Sequence, residues 1–131
     1  MSLPRHRPKR IEWVQQRLST DCGIACVAML TKSLYEAIFD TFQMLGVSIN
    51  SGVFSDEVIN VLEFCGYEVD EVFNLIRRPA LVGVTWKDDG GGHFVVWDGY
   101  KVLDPKFGIY SKTDLKKHAS VDEIWSTKLS T

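Results

Sequence analysis

The 131-residue sequence has no apolar run close to the 18 or so residues a membrane-spanning helix requires. No apolar core of an export signal follows its basic start. Cysteine is scarce and odd in number: Cys22, Cys26 and Cys65 cannot form a complete set of disulfides within one chain. Both observations predict a reducing, cytoplasmic setting. No internal repeat and no interior low-complexity segment is present. Acidic residues are missing from the first ten positions, where Arg5, Arg7, Lys9 and Arg10 stand. The overall net charge of -2 therefore becomes -6 over the remaining 121 residues. A body of that sign argues against nucleic acid as the main ligand, and residues 1–10 read as a solvated, disordered basic tail.

What remains is ordinary for a globular protein: 45% hydrophobic and 24% charged residues. A chain of this length predicts one domain, over residues 11–131, burying roughly two thirds of its unfolded surface. Alternation in Ile11–Gln15 predicts a short strand or an extended lead-in. Ser19, Thr20 and Asp21 then offer three helix N-caps. From Cys22 the sequence is apolar almost all round through Leu30, which places that helix in the centre of the domain. Leu34, Ala37, Ile38, Phe42 and Leu45 form a second helical stripe, stopped by Gly46. Phe54, Val58, Val61, Leu62 and Cys65 form a third, with Asp56 and Glu57 at its positive end and Gly66 closing it.

The period then changes to two. Strands are expected at Tyr67–Val72, at Ala80–Trp86 (apolar enough for burial on both faces) and at Phe94–Trp97, and another at Tyr100–Leu103. A short helix over Ser111–His118 and a strand near Ile124–Trp125 complete the chain. Helices first and strands after is an α+β order, a helical layer packed on an antiparallel sheet.

Four side chains have the makings of a site. Cys22 stands in the first turn of its helix, where unpaired N–H groups and the dipole favour a thiolate. Gly23 after it leaves room for a substrate backbone. An isolated cysteine is nevertheless more often a buried core residue, and Cys26 reads that way. His93 directly precedes a buried strand, unlike His6 in the tail and His118 in a polar segment. Its ring could hold a thiolate and later protonate a leaving amine. Asp98-Gly99 reads as a two-residue hairpin turn, and counting outward pairs Trp97 with Tyr100 and Val95 with Val102. That register puts His93 directly opposite Asp104, with Cβ atoms about 5 Å apart, where the carboxylate would orient the imidazole. Gln16 could donate its amide to an oxyanion beside Cys22, as could its neighbour Gln15. Other chemistries are not supported. Cys-x3-Cys is not a zinc spacing, so no metal is expected, and Gly90-Gly91-Gly92 lacks the strand-to-helix context of a phosphate loop. No organic cofactor is called for.

Gln16-x5-Cys22-Gly23-x-Ala25-Cys26-x-Ala28-Met29, then His93-Phe94-Val95-Val96, then Val102-Leu103-Asp104-Pro105-x-x-Gly108 resemble the bacteriocin-processing peptidases. These are papain-like cysteine peptidases that often form the N-terminal domain of peptide-exporting ABC transporters. The resemblance implies a papain-like fold with the site in a cleft between the helical part and the sheet. It implies Cys22 as nucleophile, His93 as general acid/base, Asp104 as orienting carboxylate and Gln16 as the oxyanion-hole side chain. The implied substrates are peptides, in transporter-linked members leader peptides cut after Gly-Gly. This sequence departs from that pattern in a short glycine-rich loop at 88–92, and a peptidase without an attached transporter is expected. A stand-alone cytoplasmic cysteine peptidase is the expectation. The alternatives are a papain-like acyltransferase or amidase, and a non-catalytic peptide-binding module.

Overall fold

The structure, a computed structural model, describes residues 10–130; the basic tail expected at residues 1–10 therefore lies outside the described residues, except for Arg10. Three helices come first: α1 (Cys22–Thr31), α2 (Tyr35–Met44) and α3 (Ser55–Phe64). Strands β1 (Tyr67–Val72), β2 (Ala80–Trp86), β3 (Gly92–Trp97), β4 (Val102–Asp104) and β5 (Gly108–Tyr110) follow. Helix α4 (Lys112–His118) and strand β6 (Ala119–Leu129) finish the chain. The six strands form one antiparallel sheet in the order β1-β6-β2-β3-β4-β5, so the fold is α+β, as expected. Among the described residues no single helix is long and apolar enough to cross a membrane.

Helix α1 is the centre of the helical layer. Every residue from Gly23 to Leu30 is buried, and the helix packs on α2, α3, β2 and β3. This explains its lack of a polar face. Gly23 is buried for a different reason from the one its position in the sequence suggests. A Cβ there would stand 2.6 Å from Val53 Cγ2 and 3.1 Å from Val58 Cγ2, so the missing side chain admits α3 and its lead-in rather than a substrate.

Helices α2 and α3 keep their stripes in part. Ile38 and Phe42 are buried, but Leu34, Ala37 and Leu45 face outward, and Tyr35 takes a buried place. In α3, Val58, Val61 and Leu62 are buried while Phe54, the residue before the helix, is exposed. Its amide is capped by the Glu57 carboxylate at 2.9 Å. Periodicity runs past a helix end where the chain turns away from the core.

The sheet is buried on both faces. Leu81, Val96, Leu103 and Trp125 pack under the helices, whereas Val82, Val84, Val95, Trp97, Val102 and Ile124 pack with Leu115 of α4. That is why Ala80–Val84 is apolar without alternation.

Three expectations for the strands are narrowed or changed. Of the two forms expected for Ile11–Gln15 the structure has the lead-in and no strand; it is held by the Trp13 indole N–H on the Asp104 carbonyl at 2.7 Å, and Gln16 N–H bonds the Pro105 carbonyl at 2.9 Å. The final strand is eleven residues long and lies between β1 and β2. Its alternation is broken where its pairing with β2 shifts between Gly83 and Val84, leaving Asp122 as an extra residue tied to Thr85 Oγ1 at 2.5 Å.

The third change is the β3–β4 register. Trp97 pairs with Val102 and Val96 with Leu103, so the turn holds four residues, 98–101. Asp98 Oδ1 accepts the N–H groups of Tyr100 and Lys101, both at 2.8 Å, and Asp98 N–H bonds the Lys101 carbonyl at 3.1 Å. An aspartate that folds back on its own loop outcompetes the tighter turn. His93 is therefore not directly opposite Asp104. The slip is by two residues, however, and a shift of two keeps every side chain on its expected face.

Candidate active site

Cys22 is the first residue of α1 and its thiol is half-buried. Asp21 occupies the N-cap position without capping: its carboxylate makes no hydrogen bond to the helix. Instead it is fully buried and accepts Leu18 N–H on Oδ1 at 2.9 Å and Arg17 N–H on Oδ2 at 2.9 Å. The Tyr35 hydroxyl donates to the same Oδ2 at 2.5 Å. That side chain therefore caps none of the first-turn N–H groups, at the helix end where an anionic sulfur is favoured.

His93 lies near the start of β3, and its neighbour Phe94 lies 3.9 Å from where a Gly23 Cβ would be. The start of α1 and the start of β3 thus meet, and the His93 ring has the Cys22 thiol beside it. Nε2 of His93 is 2.8 Å from Oδ1 of Asp104. With two residues between the expected and observed register, this is a diagonal contact across the strands, which side chains of this length span. Both residues are enclosed, at 8% and 0% exposure. Trp86 covers the ring, with centroids 5.3 Å apart and planes 30° from parallel, and Phe107 meets Trp86 edge-on at 5.6 Å.

Asp104 is fully occupied. Oδ1 also accepts the N–H groups of Lys106 at 2.9 Å and Phe107 at 3.2 Å, and Oδ2 accepts the Tyr110 hydroxyl at 2.5 Å. Burial alone would raise this carboxyl's pKa. The His93 and Tyr110 hydrogen bonds, the His93 charge and the Lys106 N–H reverse that and hold it below the ordinary value. For His93, burial works against the cation, but the Asp104 and Cys22 interactions together push its pKa up to about 9. Tyr110 is raised by burial and by the carboxylate it faces. An imidazolium held by a buried carboxylate, next to a thiol at a helix start, is an arrangement that can carry a thiolate.

The structure therefore brings Cys22, His93 and Asp104 together. Gln16 is tied beside the Asp104 strand end by its N–H on the Pro105 carbonyl, and one N–H of its amide is held on the Leu18 carbonyl, from Nε2 at 2.8 Å. Oε1 of Gln16 is buried with no partner. The Gln15 side chain is exposed. Cys26 is fully buried in the core with its thiol pKa raised by burial first, then by Cys22 and Asp104. Sequence reasoning missed Tyr110, Trp86, Trp13 and the inward turn of Asp21. Tyr110 alone had a trace, two residues beyond the Asp-Pro-x-x-Gly stretch; the others depend on folding.

Beside the site, Trp86, Lys106, Phe107, Tyr110, Leu115 and His118 contribute to a groove of about 620 Å³.

The sequence model of the Peptidase C39 family matches residues 10–129. No curated protein matches the chain. The fold is similar to that of the peptidase domain of Streptococcus ComA, a bi-functional ABC transporter involved in a quorum sensing pathway. The TM-score is 0.68 at 15% identity, covering 93% of this chain and all of that one. It is also similar to a double glycine motif protease from an AMS/PCAT transporter, solved with the leader peptide. There the TM-score is 0.64 at 19% identity, covering 92% and 94% of the two chains.

Proposed function

The chain belongs to the Peptidase C39 family and is a cysteine-type peptidase, and we propose that Cys22, His93 and Asp104 are its catalytic residues. The observation that carries this reading is the buried 2.8 Å pair of His93 and Asp104 with the Cys22 thiol beside the ring. The Cys22 thiolate attacks the carbonyl carbon of a peptide bond, and the carbonyl π electrons move onto oxygen. The first-turn N–H groups of α1 and the Gln16 amide receive that oxyanion. The His93 imidazolium gives its proton to the leaving amine as the C–N bond breaks, which leaves a thioester on Cys22. A water molecule, deprotonated by the now neutral His93, attacks the thioester and releases the acid. Asp104 stays ionised throughout and holds the ring through Nε2.

Residues 11–131 act as one peptidase unit in this reading. The substrate is a peptide, specifically a leader cut after a Gly-Gly pair. Support for that comes from the family, and from the similarity in fold to a protease solved with a leader peptide. A cytoplasmic setting is supported by the three unpaired cysteines.

A peptidyl electrophile ending in Gly-Gly tests the assignment. It should label the wild-type protein at Cys22, and Cys22→Ala should abolish both the label and cleavage of a Gly-Gly leader peptide. Label persisting on Cys26 or Cys65 overturns the assignment. Product formed with added amines in preference to water would show acyl transfer instead of hydrolysis.

A further inference from the structure

The carboxylate of Asp21 is the other fully buried acid in this part of the molecule, and the mechanism above does not use it. Its three partners are all neutral donors: two backbone N–H groups, of Arg17 and Leu18, and the Tyr35 hydroxyl. The nearby guanidinium of Arg17 is engaged elsewhere, 4.1 Å above the Tyr35 ring and 2.6 Å from Glu36. Burying a charge with no cation against it is costly, so a group that only had to fill space would be apolar. What only a carboxylate offers here is acceptance from three converging donors without presenting a hydrogen of its own.

One of those donors leads back to the site. Leu18 N–H is fixed by Asp21 Oδ1 at 2.9 Å, and the carbonyl of the same residue takes Gln16 Nε2 at 2.8 Å. That hydrogen bond decides which way round the Gln16 amide lies. Reversed, Oε1 would face the Leu18 carbonyl, oxygen against oxygen. As it stands, one N–H of Nε2 is held by Leu18 and the second is left to donate. The amide has no other anchor, because Oε1 is unpartnered.

We infer that Asp21 is a positioning residue for the oxyanion hole, acting through the backbone of Leu18 to hold the Gln16 amide with one N–H free to donate to the reacting carbonyl. The inference rests on the reading of Gln16 as an oxyanion donor. Asn at position 21 shows why the charge matters. If its oxygen keeps Arg17 N–H and the Tyr35 hydroxyl, its NH₂ meets Leu18 N–H, donor against donor, and pushes away the Leu18 backbone whose carbonyl orients Gln16. The opposite rotamer moves the same conflict to Arg17.

The test is a double-mutant cycle read with two thiol reagents. A peptide aldehyde forms a tetrahedral adduct whose oxygen needs the oxyanion hole, whereas iodoacetamide alkylates the thiolate by displacement and does not. Gln16→Ala should weaken aldehyde binding about 100-fold, in line with the loss of one such donor. Asp21→Asn should weaken it about 10-fold or more, with the alkylation rate changed less than about twofold. In the Gln16→Ala background, Asp21→Asn should cause no further loss beyond about twofold. Tyr35→Phe, which removes one donor and keeps the charge, should give a smaller loss with the same dependence on Gln16. It serves as the cycle partner if Asp21→Asn does not fold.

Additive losses would overturn the relay while leaving Gln16 as an oxyanion donor. Equal losses of aldehyde binding and alkylation at Asp21 would also overturn it, since a merely structural role predicts that. An aldehyde affinity unchanged by Gln16→Ala would overturn both the relay and the Gln16 reading.

Discussion

Asp104→Asn removes the charge from a buried site while keeping its shape. The three donors on Oδ1, from His93, Lys106 and Phe107, require an oxygen there. The new NH₂ must then take the place of Oδ2, where the Tyr110 hydroxyl can rotate to accept instead of donate. Geometry survives and electrostatics do not. In the wild type the carboxylate and Cys22 lift His93 from an ordinary 6.5 to about 9, against a burial effect of opposite sign. That rise corresponds to roughly 3 kcal/mol of preference for the imidazolium, at about 1.4 kcal/mol per pH unit. Without the carboxylate, burial is opposed only by Cys22, and His93 should titrate well below its wild-type value. The protonated fraction of the ring at neutral pH then falls. On the proposed mechanism this weakens both the proton supply to the leaving amine and the cation beside the thiol, and kcat/KM should fall about 10²- to 10⁴-fold.

NMR titration of the imidazole protons checks this directly, because the chain has only three histidines. One resonance should titrate near pH 9 in the wild type, should be assigned to His93 by its loss in His93→Gln, and should move to clearly lower pH in Asp104→Asn. The reasoning is refuted if the wild-type His93 titrates at an ordinary value, or if it stays near 9 without the carboxylate. The same shift has a stability consequence. The pKa of His93 is raised on folding, so its contribution is fully present below about 6.5 and is lost as pH rises through about 9. Asp104 is lowered on folding, so its contribution is present above the ordinary carboxyl range and is lost as pH falls through its folded value.

Two further substitutions probe the packing and the hydrogen bonds around the site. Gly23→Ala forces a methyl to within 2.6 Å of Val53 and should lower stability by about 1–3 kcal/mol in a denaturant melt; adding Val53→Ala should recover part of the loss. Tyr110→Phe leaves one lobe of a buried carboxylate without its donor, costing about 1–3 kcal/mol by the same measurement. It should also lower the pH at which His93 acts as an acid less than Asp104→Asn does, read from the alkaline limb of the kcat/KM profile.

The α+β order, the central helix from Cys22 and the double burial of Ala80–Val84 follow from sequence periodicity alone, because each depends on local repetition of apolar residues. The ends of those patterns do not. Leu34, Leu45 and Phe54 continue their stripes and yet face outward, since only the path of the chain decides where a core stops. The bulge at Asp122 hides the longest strand, and β5 is too short to show any repeat.

Cys22, His93 and Asp104 were legible as residues worth joining, but the two-residue turn that joined His93 to Asp104 is not the one that forms. The pairing survives because a slip by an even number of residues preserves the face, and a diagonal contact replaces a direct one. By itself the sequence determined which residue types stand at the starts and ends of its elements, because propensity and period are properties of neighbours along the chain. Only the tertiary structure decided where Asp21, Gln16 and Tyr110 direct their polar groups. Tyr35 reaches Asp21 from the next helix, and the pairing of β4 with β5 sets Tyr110 against Asp104. Gln16 turns onto the Leu18 carbonyl two residues on, in a loop whose path Asp21 holds. Such contacts follow from the path of the backbone, which no local repeat of residue types specifies.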